Sequence, residues 1–155
     1  MTKTSLMVGV LLLAGAQISL QAQDRPPDAN RVVVVEKTDL ATVIDHVAKR
    51  SGDFKGPFDS AVGRAVDGKF VEDRAKHRAD ELHDAAKKLK DVFGDKRDKN
   101  APPVRERVDQ VLAAGSELNR IMQDHRFTDR LQNDWTQLLS DLNALAAVYQ
   151  LTPIG

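Results

Sequence analysis

Along most of this chain, apolar or small residues recur in alternating steps of four and three. That spacing keeps one face of a helix turned toward a partner. The first such run is Leu40, Ile44, Val47, Ser51, Phe54, Phe58, Ala61 and Ala65, with Ser51 its one polar member. Thr38 is placed to cap it, and Asp39 suits the positive end of a helix dipole. Gly52, Gly56 and Pro57 interrupt the run. A proline in a helix interior costs about 3 kcal/mol and removes a backbone bond. Two outcomes fit: two helices broken at Gly56-Pro57, or one helix kinked near Asp53. The phase survives the glycines and the proline, where a loop would reset it, so the single kinked helix is preferred.

Asp67-Gly68 reads as a turn. A second helix is predicted over residues 69–93, with the stripe Val71, Ala75, Ala79, Leu82, Ala86, Leu89 and Phe93, and with Gly94 as its stop. Its other face carries Glu72, Asp73, Arg74, Lys76, Arg78, Asp80, Glu81, Asp84, Lys87, Lys88 and Lys90, a solvated face of i,i+4 pairs. Asp95 to Pro103 is the longest polar connection, and Pro103 suits a first helical position. A third helix is predicted over 103–125 on Val104, Val108, Val111, Gly115, Leu118, Met122 and His125. Gly115 sits on that stripe, where it permits close helix contact at some cost in propensity. Arg126-Phe127-Thr128 is a short connector, with Thr128 the cap of a fourth helix. That helix has the stripe Leu131, Trp135, Leu138, Leu142, Leu145 and Tyr149, thickened by Leu139, Ala146 and Val148, and Pro153 closes it off. Phe54, Phe58, Trp135 and Tyr149 are expected to form an aromatic layer.

Four amphipathic segments with mostly short links predict an all-α fold, an antiparallel up-down four-helix bundle whose first helix is kinked or broken near Gly56-Pro57. The bundle is expected to span residues 38–150, with 151–155 as a tail. Ahead of it, 23–37 reads as a flexible lead-in containing a Pro-Pro pair. Val32 to Val35 favours a strand by propensity, yet no second strand is available to pair with it. It is read as extended chain, as an apolar lid on the bundle end, or as a lead-in to the first helix.

Residues 1–22 change the picture by giving an address. Lys3 is followed by an apolar run from Leu6 to Ala16 and then by polar and small residues up to Ala22, the pattern of a cleaved signal peptide. The run is too short for a spanning helix, which needs about 20 apolar residues. Ala14-Gly15-Ala16 also fits a small-x-small cleavage site, but Ala22 is preferred. The chain is therefore expected to be exported, to a periplasm or the extracellular space. It has no cysteine, so a lipoprotein anchor, disulfides and covalent c-type haem are all excluded.

Removal of 1–22 would leave 133 of the 155 residues, with 22 basic and 23 acidic side chains. A near-neutral, mixed-sign surface argues against nucleic acid and against a polybasic membrane clamp. Candidate chemistry is sparse. A di-iron bundle needs two Glu-x-x-His motifs with two further glutamates. The nearest element here is Asp80-x-x-His83, with His83 beside the stripe and read as a surface histidine. Met122 and His125 share one helix face, so they cannot hold haem from opposite sides. They suit a copper ion, but Asp124, His46 and His77 supply no evident further ligand. No Gly-x-Ser-x-Gly, phosphate loop or His-Glu-x-x-His is present. The acid pairs Asp39 with Asp45 and Asp134 with Asp141 lack a partner base. No catalytic, cofactor-binding or metal residue is therefore assigned.

The stretch Asn133-Asp134-Trp135-x-x-Leu138-x-x-Asp141-Leu142-Asn143-x-Leu145-Ala146-x-x-Tyr149 resembles a group of small exported helical bacterial proteins, as does Phe54-x-x-x-Phe58-Asp59. The resemblance implies no activity and no site, and Gly56-Pro57 departs from that group's continuous first helix. The chain does not match the periplasmic helical chaperones with Leu-Thr-x-x-Gln repeats, since Leu151-Thr152 runs into Pro153. The expected role is that of a non-enzymatic protein acting through a protein partner or at the envelope, its oligomeric state left open. The alternative is a small-ligand or metal carrier using the bundle interior, where stripe glycines and alanines leave room.

Overall fold

The computed structural model describes residues 37–155, which belong to one compact unit. The signal, most of the lead-in, the Val32–Val35 run and the Asp39 side chain lie outside the described residues. Four helices, α1 (Lys37–Ala65), α2 (Lys69–Lys96), α3 (Pro102–Asp124) and α4 (Asp129–Val148), make up the regular structure among the described residues. α1 packs on α2 and α4, and α3 packs on the same two, so the helices form a closed ring with no diagonal contact.

α1 passes through Gly56-Pro57 without a break. The two residues are compatible because they are adjacent. Proline disfavours a helical residue before it by crowding that residue's Cβ, and Gly56 has none. The cost that remains is the missing Pro57 N–H. Leu40, Ile44, Val47, Ser51, Phe54 and Phe58 are buried, as the spacing predicts. Beyond Phe58 the buried positions are Val62 and Val66, whereas Ala61 and Ala65 are half-exposed. The larger β-branched side chains, one position later, bury more apolar area than the alanines.

Gly68, at φ +89, makes the turn into α2. Within α2 the core residues are Ala75, Ala79, Leu82, Ala85, Ala86 and Leu89. Val71 is exposed, so the predicted stripe fails at its first position, whereas Phe93 is half-buried and packs against the core. Gly94 does not stop the helix. It is exposed with open space around it, and the chain stays helical to Lys96. Arg97 then turns left-handed at φ 50 and donates its N–H to the Phe93 carbonyl (2.8 Å).

Pro102, one residue earlier than predicted, opens α3, and His125 lies just past its end. Val104, Val108, Val111, Gly115, Leu118 and Met122 are buried as predicted, joined by Leu112 and Asn119. Thr128 caps α4 by accepting from the Leu131 N–H. The predicted α4 stripe is buried along its whole length. The aromatic layer consists of Phe54 stacked on Phe58 (5.3 Å), with Trp135 against Phe54 (5.4 Å) and Phe127 against Phe58 (5.5 Å). Tyr149 is not part of it and instead lies under the Arg105 guanidinium, 5.8 Å from the ring centroid.

Residues 151–155 are not a free tail. Ile154 is buried, and its side chain meets Gly115 of α3 and Leu142 of α4 in the space a Cβ on Gly115 would take. Gly115 thus does allow close contact, with a docked segment as well as with a helix.

Candidate functional site

The interhelical polar contacts separate into buried joints and open grooves. One buried joint is Ser51, 2% exposed, whose hydroxyl donates to the Ala48 carbonyl (3.0 Å) and lies 3.2 Å from His83 Nδ1. With its hydrogen on Ala48, Ser51 accepts from the Nδ1–H of His83. The ring lies over Gly52, where a Cβ would stand 2.9 Å from His83 Cε1. His83 is therefore a half-buried residue of the α1–α2 seam rather than a surface histidine. Neither the Ser51 nor the His83 side chain lines the grooves described below.

Other charged groups also lie across seams. Lys55 bridges Asp59 (3.0 Å) and Asp80 (2.9 Å), and these carboxylates push its pKa above the usual lysine value. Glu72 lies over Gly63 and pairs with Lys76, whose pKa it raises. Asp45 meets Lys90 at 3.1 Å. Asp141 takes Arg50 at 2.6 Å, with His46 at 4.0 Å. The acids noticed at helical spacing are thus partly engaged in ion pairs.

Among the described residues, grooves open at several helix seams, including one between α1 and α2 at Asp45, Ala48 and Lys87. The one between α1 and α4, about 350 Å³, has Phe54 and Pro57 in its wall and charges of both signs around it, namely Lys49, Arg50, Asp53, Arg130 and Asp134. The one between α2 and α3, about 650 Å³, is lined by the small residues Ala85, Ala113, Ala114 and Ser116, together with Arg78, Glu81, Asp84, Lys88, Gln110 and Glu117. Arg78 and Glu117 also line a further hollow of about 220 Å³, which adds Val71, Ala75, Ile121 and His125. The two concavities therefore adjoin along α2 and α3. At this end of α2 stand Phe70 and Val71, 79% and 41% exposed, the large apolar side chains left in solvent among the described residues.

Arg78 is tied to Glu81, which raises its pKa further. That pair fixes one wall of the groove. The walls alternate in sign and the small residues between them leave room for a partner to approach closely. Met122 is buried, while His125 lines the α2–α3 hollow. Among the described residues no group of three or more His, Asp or Glu is placed to hold a metal. The room expected over the stripe glycine Gly115 is occupied by Leu142 and Ile154.

Sequence reasoning missed the α2–α3 face because its alanines lie beside the stripes. Phe70 carried a usable signal, being a large aromatic ahead of the periodic positions. Comparison with protein-family models, curated proteins and solved structures returned no match.

Proposed function

We propose that this chain is an exported, non-enzymatic protein that binds another protein through its α2–α3 face. The observation that carries the reading is the groove along that face, lined by small residues and continuing into a hollow that includes exposed Val71, next in sequence to exposed Phe70. A concave, charge-rimmed strip on the helices that also expose two large apolar side chains has the composition of an interaction surface. The reading of the first 22 residues as a leader supports an encounter outside the cytoplasm.

In this reading the ring of helices is an antiparallel up-down bundle. Its support is the order of the cross-helix pairs. Asp45 with Lys90, Ser51 with His83 and Lys55 with Asp80 run oppositely along α1 and α2. Arg50 with Asp141 and Phe54 with Trp135 do so along α1 and α4. We also read α1 as bent near Pro57, where the ring supplies no N–H to the ladder.

The test is the double substitution Phe70→Ser with Val71→Ser, compared with the wild-type chain as bait in envelope extract. Capture of a discrete partner should fall at least tenfold with the melting temperature unchanged. Equal capture by both baits would remove the α2–α3 face from the account.

A further inference from the structure

The groove between α1 and α4 carries charges in an order that its own residues leave unmatched. Contacts across the seam set the register. Arg50 donates to the Asp141 carboxylate (2.6 Å) and to the Gln137 carbonyl (3.2 Å), and Phe54 packs on Trp135 (5.4 Å). Asp53 and Asp134 each stand one residue ahead of that aromatic pair, so they line the groove at one level. Lys49 lies one turn away along α1, with Arg50 next to it. In the other direction along α1, one turn on, lies Pro57, and Arg130 is one turn from Asp134 along α4. Each such step is a rise of about 6 Å. Two carboxylates therefore share the middle of the groove, and a basic pair stands about 6 Å from them.

Among the described residues, Lys49, Asp53, Arg130 and Asp134 form no ion pair or hydrogen bond. Charges at the α1–α2 seam do pair, as in Lys55 with Asp80 and Asp45 with Lys90. The difference has a cause. Lys49 with Asp53, and Arg130 with Asp134, are four apart on one helix with the base first, the orientation that pairs less well. Two like charges at one level gain from a cation placed between them, and an open cation gains from a carboxylate. Arg50 adds a guanidinium that is already oriented. Both of its bonds use Nη1, so Nη2 keeps its donors for a further acceptor, in the fork geometry that suits a carboxylate. Phe54 and Pro57 supply an apolar wall. The space, about 350 Å³, is at the small end for a ligand pocket.

We propose that the α1–α4 groove binds a small zwitterion with an apolar body, the chemistry of a free aliphatic amino acid. Its ammonium sits between Asp53 and Asp134, and its carboxylate takes Lys49 and Arg50. Its side chain lies against Phe54 and Pro57, covered by the aliphatic stem of Arg130. This site is separate from the α2–α3 face, and its test is independent of that surface.

The experiment titrates the chain with L-leucine, followed by heat and by the emission of Trp135, the single tryptophan, which rests on Phe54. Saturable one-to-one binding in the millimolar range is expected. N-acetyl-L-leucine and L-leucinamide should each bind at least tenfold more weakly, since each lacks one of the two charges. Lys49→Gln should weaken leucine and N-acetyl-leucine but not leucinamide. The double substitution Asp53→Asn with Asp134→Asn should weaken leucine and leucinamide but not N-acetyl-leucine. The comparison of the three ligands on the wild-type chain stands by itself if a variant does not fold. Absence of saturation by leucine in the millimolar range, or equal affinity for all three compounds, overturns the proposal. So does tighter binding of trileucine than of leucine, since the ligand is then a peptide and not a free amino acid.

Discussion

The Asn143 side chain holds the Ile154 backbone at both its N–H and its carbonyl, joining the last described residues to the middle of α4. Such a two-point hold on partly buried groups contributes about 1–3 kcal/mol, and burial of an isoleucine contributes about 1.5–3 kcal/mol more. Asn143→Ala is therefore expected to lower the unfolding free energy by about 1–3 kcal/mol in urea. Deletion of 151–155 should cost more than Asn143→Ala. Equal stability of the truncated and full chains would show that the segment does not dock in solution.

Gly115 and Gly94 should respond oppositely to a side chain. A Cβ on Gly115 would stand 2.9 Å from Leu142 Cδ1 and 3.0 Å from Ile154 Cδ1, whereas one on Gly94 meets nothing within 4 Å. Gly94→Ala should stabilise the chain by about 0.5–1 kcal/mol through helix propensity alone. Gly115→Val should destabilise it by about 1–3 kcal/mol through overpacking. Thermal melts of the two variants would check the contrast in sign.

Pro57 lies inside a continuous helix, so its substitution restores a backbone donor. Pro57→Ala is expected to raise stability by as much as about 3 kcal/mol, read as a higher melting temperature. Gly56→Val should lower it, although the space beside Gly56 is open, because a β-branched residue before proline resists the helical conformation.

Tyr149 supplies a pH dependence. Burial pushes its phenol above the ordinary value of 10.0, only partly offset by Arg105, and its hydroxyl has no hydrogen-bond partner among the described residues. A raised pKa in the folded state means that the native phenol keeps its proton where the unfolded one has lost it. The stability from Tyr149 is thus complete below pH 10 and declines as pH rises through the folded-state value. Tyr149→Phe should abolish that part of the decline and cost little at pH 7, because no hydrogen bond is lost. Urea melts at pH 8 and pH 11 for both chains would check it.

Periodicity made much of this fold legible. The buried face of α4 follows its stripe residue by residue, that of α3 does so up to Met122 but not at half-buried His125, and Thr128 caps where its chemistry suggests. The errors arise where a neighbour, rather than the helix itself, decides burial. Val71 keeps the rhythm of α2 but lies past the core, in solvent. His83 stands one position off its stripe, and only the missing Cβ of Gly52 draws it into the seam. Asn119 falls four after Gly115 and three before Met122, a core position filled by a polar residue because Trp135 and Gly155 need its amide. Ile154 is a single apolar residue after a proline, so no period reveals it. The α2–α3 groove is equally silent, since its alanines acquire meaning only once two helices are side by side.

The most direct test of the proposed role is site-specific photo-crosslinking in intact cells producing the chain, with the reactive group placed at Ala113 in the α2–α3 groove or at exposed Thr136 on α4. The account predicts a discrete crosslinked partner from Ala113 and none from Thr136. Equal products from both positions, or none from either, would contradict it.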